Sequence, residues 1–367
     1  MVLRSKRAAG VASFVIASAL DQRTTSVHLL DTICVTLVAF AVFSVSPAQA
    51  SAPLNYLVSR GGKADAVVGL TWGVLIVSLA VIAIISLLLA GAIWHRPGAV
   101  AQSPGARLPL ERPSGGLKWI WIGVGVSSVV LLLSVVWTMA VLAQIARPSS
   151  KPALTIEITG RQWWWQVRYL SDDPSRVFAT ANEIHIPTGV PVKFRLIGGD
   201  VIHSFWVPAL SGKTDLIPGQ TNETWLEAHN PGVYRGQCTE YCGVEHAHMG
   251  LLLIAQTPAD FRAWYARQLQ LPGVPSNGQI AAGVLNFNAH CGSCHAIRGT
   301  AAAGVLGPDL SHWNTHKTIA GALPNDPVNL ARWISDPQAV KPGALMQKPE
   351  LSANELADIQ AYLKTLN

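Results

Sequence analysis

The stretch Cys238-Thr-Glu-Tyr-Cys242-Gly-Val-Glu-His246-Ala-His-Met249 decides how this chain is read. Its spacing, C-x3-C-x3-H-x2-M, gathers two thiols, an imidazole and a thioether on one loop between two strand-like segments. A further imidazole, His203, opens another such segment upstream. Soft and borderline ligands in this combination suit copper. A mononuclear blue-copper site needs one Cys, two His and a weak Met; the second Cys adds a bridging thiolate and room for two metal ions. Two other readings stay open from the residues alone. A Cys2His2 zinc site has its tetrahedral ligand set here, although zinc leaves Met249 without a purpose, and in an exported chain the two cysteines could form a local disulfide.

Around that loop, residues 153–256 read as a β domain. The segments ALTIEITGRQWWWQVRY, NEIHIP, VPVKFRLIGG, VIHSFWVP, TNETWLEA, GVYRGQC and MGLLLIAQ are short, rich in β-branched and aromatic residues, and parted by Gly, Pro, Asn and Asp. Val192, Phe194 and Leu196 alternate with Lys193 and Arg195, so one face is apolar. About seven strands in such a length is the count of a β-sandwich. In the run Trp163-Trp164-Trp165, alternation places the first and third on one face. Large aromatics so placed are first read as sandwich core or interface. His229 and His248 read as surface or packing residues. A helix over about 258–269 and the linker Leu271-Pro-Gly-Val-Pro-Ser-Asn-Gly278 close this part.

Residues 279–367 read as helical. One helix runs from Gln279 into His290, one is opened by Asp326 with Pro327 at its first position, and one by Ser352 with Glu355 three residues on, a capping box. Leu356, Ile359, Leu363 and Leu366 form the apolar stripe of the last. So few short helices make a thin core. Cys291-Gly-Ser-Cys294-His295 supplies the remedy: C-x-x-C-H is the attachment pattern of c-type haem, two thioethers and an axial imidazole, and the porphyrin adds apolar area. A thioredoxin-like C-x-x-C is the rival, but the βαβ surround it expects is missing. Met346 is the methionine downstream of the motif and the candidate sixth ligand, Met/His ligation suiting electron transfer. His312 and His316 are the alternatives, although both read more readily as solvated loop residues.

Towards the N-terminus the chain turns apolar. It is half hydrophobic, 13% charged and has a mean hydropathy of +0.30, which argues for membrane anchoring. Uncharged spans over about 66–94 and 119–146 each exceed the ~20 residues a bilayer helix needs. The intervening loop carries Arg96, Arg107, Arg112 and Lys118 against Glu111, so it is expected in the cytoplasm and both ends of the hairpin outside. Trp94, Trp119, Trp121 and Trp137 are read as interfacial aromatics. Residues 1–50 read as an export signal, with Arg4, Lys6 and Arg7, an apolar run, and Ala48-Gln49-Ala50 as cleavage site; a third membrane helix is the other reading. The net charge of +6 resides in residues 1–150, with 11 basic against 4 acidic residues, whereas 151–258 hold 8 against 10 and 277–367 hold 6 against 6. No basic face of the kind nucleic acid requires remains.

The segments Gly160-Arg-Gln-Trp163-Trp-Trp165, Asp200-Val-Ile-His203-Ser-Phe-Trp-Val-Pro and Lys213-Thr-Asp215-Leu-Ile-Pro-Gly, with the cysteine loop, resemble subunit II of the haem-copper cytochrome c oxidases over roughly residues 60–258. Residues 279–367, with Gly307-Pro308-Asp309-Leu310, resemble small cytochromes c, in which the proline carbonyl fixes the axial His. The resemblance implies a multidomain chain: a transmembrane helical hairpin (64–148), a cupredoxin-like β-sandwich (151–258), a helix and linker (259–278), and an all-α cytochrome c domain (279–367). It implies a dinuclear CuA centre held by His203, Cys238, Cys242, His246, Met249 and the Glu240 backbone carbonyl. The Glu240 side chain would reach a Mg²⁺ at the face of the catalytic subunit. Trp163 becomes a candidate for the electron exit, lying between the copper centre and the next haem. Haem c would be bound by Cys291 and Cys294 with axial His295 and Met346.

The function implied is that of an electron-transfer subunit of a terminal oxidase in a bacterial inner membrane, its redox domains periplasmic. Electrons would pass from an external donor such as a soluble cytochrome c, through haem and copper, to subunit I, with subunit III as a further partner. The O2-reducing site would lie in another chain. Two other readings are a nitric oxide reductase subunit and a membrane-tethered copper or thiol assembly factor; the hydrogen-bonded surroundings of a relay, Asp200 and Trp206 beside His203, speak against the latter. Lys118 before Trp119-Ile-Trp121, and a second span without Pro, depart from the family pattern, so no proton-entry role is expected here.

Overall fold

In the computed structural model, the described residues are 54–95, 116–152, 154–273 and 278–367. The expected signal segment, most of the loop between the spans and residues 274–277 of the linker lie outside them.

Two long helices, α1 (Gly62–Trp94) and α2 (Gly116–Ile145), are apolar all round and exposed over nearly their whole surface. A helix without a polar face has no place in water, so both are long and apolar enough to cross a membrane. They pack on each other where Gly73 leaves room: a Cβ there would lie 2.2 Å from the Trp137 ring. Trp137 thus packs on the other helix while 44% of it stays exposed. Trp94, Trp119 and Trp121 are exposed near the helix ends.

The β domain comprises β1 (Thr155–Arg161), β2 (Trp164–Leu170), β3 (Phe178–Ala181), β4 (Glu183–Pro187), β5 (Val192–Gly198), β6 (His203–Trp206), β7 (Thr214–Leu216), β8 (Thr221–Leu226), β9 (Gly232–Cys238) and β10 (Gly250–Gln256). They form two five-stranded sheets, ordered β3-β2-β1-β5-β8 and β4-β10-β9-β6-β7. The expected seven strands become ten. The first long segment is a hairpin, with Trp164 opposite Arg161, and β3 and β7 are too short to show an alternation. On β5, Val192, Phe194 and Leu196 are fully buried while Lys193 and Arg195 are not, as the pattern required. The inward faces of both sheets share one apolar core with Phe261 and Trp264 of α3 (Pro258–Leu269). That helix, expected as the start of a connector, packs as part of the sandwich. Each large side chain so buried contributes about 1.5–3 kcal/mol. The sandwich meets the helical hairpin through Trp225 of β8, whose Nε1 donates to Ile145 O at 3.0 Å.

The last unit contains α4 (Gly278–His290), a short ladder of β11 (Thr318–Ile319) and β12 (Leu323–Pro324), α5 (Pro327–Ser335), α6 (Pro337–Val340) and α7 (Ala353–Leu363). The two caps expected from sequence form: Asp326 accepts from Val328 N and Asn329 N, and Ser352 and Glu355 close a capping box. Helices α4 and α7 pack directly, Gly283 lying against the Asp358 carbonyl. Phe287, Ile359, Tyr362, Leu363 and Leu366 fill the core.

Candidate copper and haem centres

Strand β6 carries His203 inward, and the loop from β9 to β10 folds back over it. His203 Nδ1 lies 3.9 Å from Cys238 Sγ, the two sulfurs are 3.9 Å apart, Cys242 Sγ is 3.5 Å from His246 Nδ1 and 3.8 Å from Met249 Sδ. The Glu240 carbonyl oxygen is 3.3 Å from Cys238 Sγ. Five side chains and one carbonyl thus converge on one buried point, with Met249 fully enclosed. The sulfur separation is far beyond a covalent S–S bond of about 2.05 Å, so the pair is not a disulfide here. Soft sulfur donors on both sides of the point fit copper, and Met249, aimed into it, has no place in a plain zinc tetrahedron. Among the described residues, His203, Cys238 and Cys242 form the grouping of His, Cys, Asp or Glu able to hold a metal.

The neighbouring Cys242 thiol holds the Cys238 thiol down, to about 4, against the opposing effect of burial, while Cys238 and burial push Cys242 up. For His203, burial lowers basicity, but hydrogen bonds to Cys238 and Asp200 prevail and raise it. Asp200 Oδ1 accepts from Nε2 at 2.8 Å. This bond sets the tautomer and leaves Nδ1 for the metal. A second neighbour went unforeseen: the ring beside His203 is Trp165, edge-on at 6.1 Å. Gly160 makes room for the imidazole, since a Cβ there would stand 2.8 Å from His203 Cδ2. The Glu240 carboxylate is half-exposed and lies 3.6 Å from the Lys213 ammonium.

Trp163, at the turn between β1 and β2, is buried and donates from Nε1 to the Cys242 carbonyl at 2.9 Å. Gly343 of the C-terminal unit lies on its other side, a Cβ at that position being 3.3 Å from the ring. Trp163, the candidate electron exit, is thus covered by the C-terminal unit and stands between that unit and the cysteine loop.

The second centre is built on the turn after α4. Cys291 is half-buried, Cys294 exposed, and the His295 imidazole donates from Nδ1 to the Pro308 carbonyl at 2.9 Å. A carbonyl only accepts, so the proton sits on Nδ1 and Nε2 keeps its lone pair for a metal. Burial keeps this imidazole neutral and pushes the Cys291 thiol up to about 11. Gly307 packs flat on the ring, a Cβ there falling 2.5 Å from Cε1. Val305, Leu306 and Leu345, chain neighbours of Gly307 and Met346, are each more than half exposed. Such a concentration of bared apolar side chains fits a domain folded around a flat apolar group. Gln338, unmarked in the sequence, shapes the methionine loop. Its Nε2 donates to the carbonyls of Ala344 and Met346, and its Oε1 accepts from Gly343 N.

Neither alternative histidine is a solvated loop residue. His312 is buried between the Arg298 guanidinium and the Asn367 carbonyl, and His316 Nε2 is 3.0 Å from Thr180 Oγ1 of the β domain. Each is engaged in packing. His229 and His248 pair with Asp65 and Glu245 at the surface.

The chain is similar to known proteins over both units. Residues 168–256 match the family described as cytochrome c oxidase subunit II, periplasmic domain, and residues 280–367 the family described as cytochrome c. The cytochrome c oxidase subunit 2 of Alkalihalophilus pseudofirmus is 40% identical over 213 residues, 58% of this chain and 60% of that relative. The probable cytochrome c oxidase subunit 2 of Rickettsia bellii is 33% identical over 182 residues, 41% of this chain and 68% of the relative. Among solved structures, the periplasmic domain of subunit II of cytochrome oxidase of Bradyrhizobium japonicum is 33% identical, covering 33% of this chain and 96% of its own, with a TM-score of 0.30. With that loop closed around a single buried point and a relative a third identical over two thirds of its length, the chain belongs to the cytochrome c oxidase subunit II family.

Proposed function

We propose that this chain is the electron-transfer subunit of a terminal oxidase, taking electrons from an external donor and delivering them to a separate catalytic subunit that reduces O2 to water. The observation that carries the reading is Trp163, bonded to the cysteine loop on one side and touched on the other by Gly343, in the loop that leads to Met346. When bound, a dinuclear copper centre and a covalent haem c each take up and release single electrons with little change of geometry. The protein's part is to hold ligands still. Cys238 and Cys242 would bridge, His203 and His246 would cap, and Met249 and the Glu240 carbonyl would bind weakly from the two sides. Cys291 and Cys294 would fix the porphyrin, His295 would be its oriented axial ligand and Met346 the opposite one. Trp163 belongs on the entry side of the copper centre.

Subunits I and III are the partners proposed within the membrane, a soluble cytochrome c the donor, and the bacterial inner membrane the site, with both redox domains periplasmic. The half-exposed Glu240 carboxylate is free to exchange Lys213 for a Mg²⁺ at the catalytic subunit's face. Metal analysis of the full chain, matured with haem, tests the proposal. It expects about two copper and one iron per chain, with the iron retained after denaturation; zinc in place of copper, or haem lost on denaturation, would overturn the corresponding centre.

A further inference from the structure

Lys341 is 3% exposed, and among the described residues no carboxylate forms an ion pair with it, the Glu245 charge acting on it only from a distance. Its ammonium donates to three backbone carbonyls: Trp163 O, His248 O at 3.1 Å and Ala320 O at 3.0 Å. An ammonium has three donors, and all are used. Burying a cation is costly unless its donors are satisfied, so this lysine is stable only where the three carbonyls meet. Two of them belong to the copper domain and one to the haem domain. The domains therefore create the binding site for Lys341 together.

A converse contact lies nearby. Glu183 of β4 is 2% exposed, and its Oε1 accepts from Lys317 N at 2.6 Å, Thr318 N at 2.9 Å and Thr318 Oγ1 at 3.2 Å, all in the haem domain. A cation from one domain enters carbonyls of the other, and a carboxylate from the other meets amides of the first. Between them the backbones nearly touch, since a Cβ on Gly321 would lie 2.8 Å from the Gly250 carbonyl. At the linker end, the Arg298 guanidinium donates to the Gln268 carbonyl.

The position of Lys341 in the chain gives the contact its meaning. It begins the loop Lys341-Pro-Gly-Ala-Leu-Met346, and its acceptor His248 lies between His246 and Met249. The loops bearing candidate ligands of both centres are tied at one nitrogen.

We propose that Lys341 and Glu183 are positioning residues that keep the haem domain docked on the copper domain during turnover, so that transfer between the centres occurs at a fixed separation instead of awaiting a domain swing. The docking stands on the contacts alone; its consequence for transfer rests on the relay reading above.

The test uses the full chain in its oxidase complex with both cofactors loaded. In Lys341→Met, hydrogen exchange at the amides of Lys317 and Thr318, which bond Glu183 and not Lys341, is expected to rise at least about tenfold. Haem and copper contents should stay unchanged. Electron transfer from photoreduced haem to copper, independent of solvent viscosity in the parent protein, should slow and become viscosity-dependent. Glu183→Gln should produce the same viscosity dependence from the other domain, and it carries the test if Lys341→Met fails to retain haem. A parent rate already sensitive to viscosity, or variants unchanged in both exchange and rate, would overturn the proposal. If the parent protein shows protected amides but no transfer from haem to copper, the relay reading fails and the docking stands.

Discussion

A single carboxylate, Asp200, decides how His203 presents itself. Its Oδ1 accepts the Nε2 proton at 2.8 Å and so turns Nδ1 towards Cys238 Sγ. Asp200 also caps the turn that follows β1, accepting from Gln162 N at 2.6 Å. Replacing it by Asn keeps the shape but removes the charge that supports the imidazole. We expect Asp200→Asn to weaken copper retention by about 10–100-fold, the usual cost of losing an outer-sphere partner, read as copper per chain after dialysis against a graded chelator. Asp200 and His203 were legible in sequence as neighbours in one motif. Trp165, edge-on to the same imidazole, was legible only as a core aromatic, since its approach to His203 depends on how the two sheets pack face to face.

At the scale of elements, the haem motif depends on what lies flat against it. The Gly307 backbone passes so close to the His295 ring that a methyl group would overlap Cε1. Gly307→Ala must therefore tilt the imidazole or push away the Pro308 carbonyl that orients it. The expected result is a chain that still forms its thioethers but shows a disturbed axial ligand field in its haem absorption spectrum, while the copper signal is unaffected. Asp326 offers a simpler case. It accepts from the first amides of α5, and Asp326→Ala removes a cap worth about 1 kcal/mol. That should lower the melting temperature of a domain of this size by about 4–8 °C. The caps were readable because each is a contact between residues two or three apart. Gln338, which staples the loop of Met346, was not, because glutamine has no local signature and its carbonyl acceptors come from a turn.

For the whole molecule, acid is the revealing perturbation. Burial depresses two imidazoles to about 4: His185, stacked on Trp264 and bonded to Gln256, with Lys317 and Arg267 opposing its charge further, and His316, at the junction of the redox domains, with His185 and His312 opposing it. In the window from 6.5 to about 4 the unfolded chain binds more protons than the native one, so stability rises with pH across it and is lost as pH falls. Each imidazole accounts for up to about 3 kcal/mol over that range. The denaturant midpoint should fall between pH 7 and pH 5, and His185→Gln should flatten the decline. A midpoint unchanged over that interval would contradict the burial of both rings.

The apolar helical hairpin, the sandwich, the helical cytochrome c domain and the candidate ligand types of both centres were determined by the sequence itself. Each rests on a local pattern: an uncharged run of bilayer length, a two-residue alternation, a capping box, or thiols and imidazoles at metal-binding spacing. The tertiary structure alone decided which way Trp163 faces, that α3 belongs to the sandwich, that Trp137 packs on Gly73, and that the haem domain rests on the copper domain through Lys341 and Glu183. The physical reason is the range of the interactions. Backbone carbonyls that hold a buried ammonium carry no side-chain identity, and three of them drawn from separate turns leave no trace in the order of residues until the chain has folded.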